Sequence, residues 1–148
     1  MFNGLHHATI VSGDAEKAAA IFKLIGFNKV AFDCVMSSEE AGALGIPNVE
    51  RSRNIMLQKE GVENAMVELI EFQTADGRSL GEQSPIPCGL KALSVEVIDA
   101  QKAYDDLHNA GTPMLRAPIE MKVPGFGLCK IVVFLGPDGV FMELFERL

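Results

Sequence analysis

Cysteine is scarce in this chain: three in 148 residues, at positions 34, 88 and 129. An odd number so widely spaced builds no disulfide framework and suits reduced thiols, and no CxxC pair is present for redox or metal chemistry. Positive charge is also in deficit. Thirteen Lys and Arg against 20 Asp and Glu leave a net charge of −7, the reverse of the basic footprint that nucleic acid requires. No apolar run approaches the roughly 18 residues of a membrane span. Met1 to His6 carry no basic leader region, so a cytoplasmic location is expected. Nothing reads as a nucleophile elbow, a P-loop or a dinucleotide-binding turn, and Gly125-Phe126-Gly127 is too short to cradle a phosphate. What is present is an ordinary globular composition, 48 % hydrophobic and 22 % charged. At this length a folded chain buries about 68–70 % of its unfolded surface, enough for a sizeable core.

The strongest positive signal is an internal repeat, which decides architecture before any local reading. His7-Ala8-Thr9-Ile10-Val11-Ser12-Gly13-Asp14 reads as a short apolar strand running into a helix capped by Asp14. Ala92-Leu93-Ser94-Val95-Glu96-Val97-Ile98-Asp99 repeats it with Asp99 as the second cap, at the same seven-residue offset. The halves close on matching strands, Met66-Val67-Glu68-Leu69 and Phe141-Met142-Glu143-Leu144.

A coarse pass along the chain extends the repeat. Residues 5–11 predict a strand, and Ala15, Ala18, Ala19, Ile21, Phe22 and Ile25 predict a helix that Gly26 ends. Strands are expected at 30–35, 52–59 and 65–72. Between the first two lies an inserted turn and short helix over Met36–Val49, opened by Ser37 or Ser38 and ended by Gly45-Ile46-Pro47-Asn48. The polar stretch from Gln73 to Gly89 reads as a linker. In the second half a strand is expected at 91–98, a helix at 99–110, and strands near 113–119, 128–135 and 139–146. Lys122–Gly127 reads as a flexible connection and Gly136-Pro137-Asp138-Gly139 as a tight hairpin turn. The expected fold class is therefore α+β. Two tandem βαβββ modules, about 1–73 and 90–148 with a linker at about 74–89, form one curved mixed sheet with helices outside, in a single domain 1–148.

These motifs resemble the vicinal oxygen chelate superfamily, which includes glyoxalase I, methylmalonyl-CoA epimerase, extradiol dioxygenases and bleomycin-resistance proteins. The likeness is carried by Leu5-His6-His7-Ala8-Thr9-Ile10-Val11 with Asp14, by Ile21-Phe22-Lys23-Leu24-Ile25-Gly26-Phe27, by Val67-Glu68-Leu69, and by Gly136-Pro137-Asp138-Gly139-Val140-Phe141-Met142-Glu143-Leu144. The resemblance implies a divalent metal inside the cup of the sheet, with ligand positions at His7, Glu68, Ala92 and Glu143. Ala92 has no donor, so the implied set is one imidazole and two carboxylates. Such a set favours Mn, Co, Ni, Fe or Mg over a closed structural zinc site, although zinc stays in the candidate list. Side-chain alternation supports it: Glu68 shares a face with Met66 and Ile70, and Glu143 with Phe141 and Phe145. A carboxylate on an apolar face is costly unless paired or bound to a metal.

The resemblance implies a metal-assisted isomerase, epimerase or lyase of the glyoxalase type, acting on a small metabolite with two adjacent oxygens. Glu143 or Glu68 would move the proton, and a homodimer is expected. Two alternatives stay open: extradiol ring cleavage, which the missing imidazole at Ala92 disfavours, and a metal-free binding protein like the bleomycin-resistance proteins. Among the other candidates, alternation points His6 away from His7, packed beneath the first helix or partly exposed. His108 reads as solvated on the second helix. Glu96 is a weak substitute for the lost ligand. Arg51 and Arg53 read as solvated rather than as a carboxylate grip, and Phe126 is placed to close over the cup.

Overall fold

Each half of the chain begins with a strand that feeds a capped helix, and the two halves are built alike. The computed structural model describes residues 2–43, 49–81, 86–136 and 140–148. The first half runs β1 (Phe2–Val11), α1 (Ala15–Leu24), β2 (Lys29–Ser37), α2 (Ser38–Ala43), β3 (Arg51–Gln58) and β4 (Met66–Gln73). The second runs β5 (Gly89–Val97), α3 (Ala100–Asn109), β6 (Ile119–Val123), β7 (Gly127–Leu135) and β8 (Phe141–Arg147). The helix terminator expected at residues 45–48 and the turn expected over 137–139 lie outside the described residues.

All eight strands form one curved mixed sheet in the order β2-β3-β4-β1-β5-β8-β7-β6. β1 runs parallel to β4 and β5 parallel to β8, while β1 and β5 pair antiparallel as the seam between halves. This is the α+β arrangement of two βαβββ units that the repeat predicts. Helices α1 and α3 cover the outer face, as expected, but α2 does not: its Ala41 packs with Val11, Ile70 and Phe72 on the inner face. Ala15 and Ala19 of α1 pack on Ile55, Leu57, Val67 and Leu69, and Ala100 of α3 packs with Val97, Val132 and Leu144. The inner face holds two further apolar groups, one around Ile131, Val133 and Phe145 and one around Phe32, Met56 and Met66, and Phe126 packs against both.

The duplication reaches individual hydrogen bonds. Asp14 Oδ1 accepts from the Lys17 amide at 2.9 Å and Asp99 Oδ1 from the Lys102 amide at 2.8 Å. The first helical amide of each half then donates to a glutamate from that half's last strand, Ala15 to Glu71 at 2.8 Å and Ala100 to Glu146 at 2.9 Å. Both alanines are fully buried, so these amides have no access to water. Glu71→Ala is expected to cost about 1–3 kcal/mol by stranding the Ala15 amide. Glu146→Ala should cost less, because Glu146 is less buried than Glu71. Urea unfolding reads both, and an unchanged midpoint for Glu71→Ala would show that the carboxylate does not hold α1.

Two further expectations need correction. Ile21 and Ile25 do not join the packed stripe of α1 formed by positions 15, 18, 19 and 22; they are 57 % and 66 % exposed, because Ile21 lies roughly 110° round the helix from the centre of that stripe and Ile25 is the C-cap residue beyond the last turn. The strand expected near 113–119 begins only at Ile119, preceded by an isolated Met114–Phe134 bridge. Pro113 and Pro118 each lack the amide that a continuous ladder needs, and β6 instead extends into Lys122 and Val123, the start of the expected flexible connection.

Candidate active site

Strand register brings together side chains far apart in sequence. On the first half's side of the seam, Thr9 stands beside Glu68; on the other, Ser94 stands beside Glu143. His7 lies opposite Ser94 across the seam. His7 Nε2 is therefore 3.5 Å from Glu68 Oε2 and 3.8 Å from Glu143 Oε1. The three side chains meet in the cup, with only 7 %, 7 % and 12 % of their areas exposed. The position equivalent to His7 in the second half, Ala92, faces Thr9 and Phe141 with a methyl group.

The two carboxylates sit in different surroundings. Glu68 Oε2 accepts from Thr9 Oγ1 at 2.9 Å and Oε1 from Asn54 Nδ2 at 3.0 Å. Ser52 Oγ in turn donates to Asn54 Oδ1 at 2.7 Å. Glu143 Oε1 accepts from Ser94 Oγ at 2.7 Å. Burial pushes both carboxyls upward. At Glu68 the hydrogen bonds from His7, Asn54 and Thr9 and the charge of His7 win, so it lies below its usual range. At Glu143 burial wins over His7 and Ser94, and it lies above. Burial alone would lower His7, but its bond to Glu68 and the charges of both carboxylates raise it. Two carboxyls pushed apart in this way are suited to different tasks.

His6 departs from expectation. Between Leu5 and His7 the pairing with β5 advances by one residue on β5 and two on β1, which is a β-bulge. The bulge turns His6 onto the inner face beside His7. It is fully buried there, stacked on Phe145 at 4.4 Å and edge-on to Phe126 at 5.1 Å. Its Nδ1 lies 2.8 Å from His7 Nδ1. Burial, with the charges of His7 and Arg147, pushes its pKa down to about 3, so it is neutral.

These groups border a cavity of about 30 Å³, room for about two waters. Met36, Met56, Met121, Phe32, Phe126 and Phe145 supply most of its apolar wall, and no Lys or Arg among the described residues lines it. The other candidates lie elsewhere. Arg53 clasps Asp33 at 2.9 and 3.0 Å, Arg51 donates to Ala75 O, Glu96 pairs with Arg147 at 3.5 Å, and His108 stacks on Tyr104. Cys88 is exposed, Cys34 partly exposed and Cys129 buried.

For a divalent cation the donor set fits in kind. One imidazole and two carboxylates suit such ions, and Thr9, Asn54 and Ser94 already orient the carboxylate oxygens as outer partners do. Ligands about 2.1 Å from an ion stand about 3 Å apart when cis and about 4.2 Å when trans. The 3.5 and 3.8 Å separations fall between these. Among the described residues no three such side chains form a ready-made cation cage. The His7 imidazole stands where positive charge is needed.

Sequence reasoning missed Ser52, Asn54 and the inward turn of His6. Ser52 and Asn54 share a face with Met56, so polar residues at period two on an apolar strand were the available signal. For His6 the signal was Gly4, with φ +116° inside β1, where an isolated strand glycine marks a bulge.

The fold is shared with solved structures at 15–18 % identity. Its structural neighbours include a methylmalonyl-CoA epimerase solved with methylmalonyl-CoA and NH4+, at 16 % identity and a TM-score of 0.69 over 99 % of this chain and 96 % of that one. Methylmalonyl-CoA epimerase from Mycobacterium tuberculosis matches at 18 % identity and TM-score 0.65, over 99 % and 89 % of the two chains. A mutant 4-hydroxymandelate synthase from Streptomyces coelicolor matches at 15 % and 0.69, over all of this chain and 49 % of that one. Comparisons with family models and with curated proteins give no match. No helix among the described residues is long and apolar enough to cross a membrane.

Proposed function

We propose that this chain is a metal-assisted isomerase, epimerase or lyase acting on a small oxygenated metabolite. The observation that carries the reading is the meeting of one imidazole and two carboxylates, one from each half, at 3.5 and 3.8 Å in an apolar cup. His7, Glu68 and Glu143 would hold a divalent ion, which when bound polarises a substrate carbonyl. Glu68, fixed at both oxygens by Thr9 and Asn54, stays ionised and serves to hold. Glu143, tethered by Ser94 and pushed toward protonation, is the group suited to take and return a proton beside the carbonyl. The apolar wall excludes water from the carbanion that results.

Supplying metal and a 2-oxo acid, a hydroxy-ketone or an acyl thioester in heavy water tests this. Deuterium is expected at the carbon next to the carbonyl; its absence with every class ends the proton-transfer reading.

One observation favours a second reading, a metal-free binding protein. The His7 imidazole already balances both carboxylates, and Ala92 contributes no ligand. Elemental analysis of protein purified without chelator separates the two. The enzyme reading expects a stoichiometric transition metal that His7→Ala removes.

A further inference from the structure

His6 is the one polar residue of the cup that the proposed chemistry does not use. Its Nε2 is buried and has no hydrogen-bond partner. The other unpartnered buried side-chain atoms among the described residues, Arg51 Nε and Asn64 Oδ1, do not line the cavity, whereas His6 does. A lone buried donor or acceptor is unfavourable, and its persistence asks for a partner.

The neighbouring contact says which it is. Two ring nitrogens 2.8 Å apart, His6 Nδ1 and His7 Nδ1, require one hydrogen between them. His7 Nε2 faces two carboxylates, and a divalent ion held between them would take its lone pair. With Nε2 so occupied, His7 Nδ1 keeps its hydrogen and donates it. His6 Nδ1 then accepts, and the hydrogen of His6 sits on Nε2.

The surroundings limit what this N–H meets. Phe126 and Phe145 flank the ring, no Lys or Arg among the described residues lines the cavity, and two carboxylates lie close by. A neutral N–H between aromatic rings matches an uncharged oxygen, while a charged group of the same molecule belongs with the ion. Among the described residues Phe126 is also the only lining residue carried by a turn rather than a strand, so it is the side chain best able to make way.

We infer that His6 Nε2–H is a hydrogen-bond donor reserved for a bound molecule, in a subsite behind Phe126 that takes a compact, uncharged body bearing a carbonyl or hydroxyl oxygen. The inference rests on the cation site of the proposed function and adds the part of the bound molecule that the ion does not hold.

Acetoin (3-hydroxybutan-2-one) is a suitable probe, small and uncharged with two adjacent oxygens. Side-chain nitrogen–proton NMR of the full chain, loaded with one equivalent of Zn²⁺ or Mg²⁺ as checked by elemental analysis, should find the His6 hydrogen on Nε2 and show its signals moving as acetoin is added. Two variants separate the nitrogens. The Asn amide reaches the place of Nδ1, and the longer Gln amide reaches the place of Nε2. His6→Asn is expected to weaken acetoin binding about 5- to 10-fold, the worth of one hydrogen bond. His6→Gln should bind within about twofold of the unmodified chain, since it keeps the donor in place. A hydrogen on Nδ1, His6 signals that ignore acetoin, or loss of binding in His6→Gln alone each overturns the proposal; the last would make His6 a positioning residue for His7. The wild-type spectrum decides even if His6→Asn fails to fold. Because no reading requires turnover, failure here is distinct from failure of the proton-transfer proposal.

Discussion

Replacing Glu143 with Gln is expected to lower the rate of proton exchange by about 10²–10⁴-fold, the usual contribution of a positioned acid–base group. The fold should survive. The substitution conserves shape, Ser94 can still donate to the amide oxygen, and a carboxyl driven toward neutrality by burial is replaced by a group that is already neutral. Glu68→Gln should behave differently. It removes a charge held by Thr9, Asn54 and His7, so thermal stability is expected to fall together with activity. Exchange rates and melting curves of the two variants give the comparison. Wild-type exchange in Glu143→Gln would transfer the proton step to another residue.

Leu69→Ala is expected to cost about 2–5 kcal/mol, a large share of the roughly 5–15 kcal/mol that stabilises a domain. Leu69 is fully buried beneath α1, against Ala15 and Ala19, where collapse into the space is blocked by the sheet on one side and the helix on the other. Leu24→Ala, at the end of the same helix but 87 % exposed, should change stability by less than about 0.5 kcal/mol. Urea midpoints measured side by side check the pair. Equal effects would mean that α1 does not pack as described.

How far the sequence foretold this molecule depends on which physical cause was local. The repeat was legible because Asp14 and Asp99 cap helices through their own following amides, and because Glu68 and Glu143 recur on matching strands. Alternation along β4 and β8 was enough to put both carboxylates on the cup face. It failed at His6, where pairing with β5 absorbs an extra residue and breaks the period of two. It also overreached between Pro113 and Pro118, where strand-forming residues were weighed above two missing amides. The contrast between Glu68 and Glu143 was out of reach. It depends on Asn54 and Ser52, which only the β3–β4 pairing brings to Glu68.

The turn between β6 and β7 carries one more consequence. Gly125, at φ +77°, lies so near the first half that an added methyl would stand 3.3 Å from the Ala31 carbonyl oxygen, while Phe126 rests 6.3 Å from Phe32. The turn that leaves the last-placed strand of the sheet thus touches the first-placed one across the opening, although no ladder joins the two edges. Any widening of the mouth must part this contact before the central seam bends. Amide deuteration along β2 and along the Val123–Gly127 turn should therefore rise and fall together, as a single opening event of the rim.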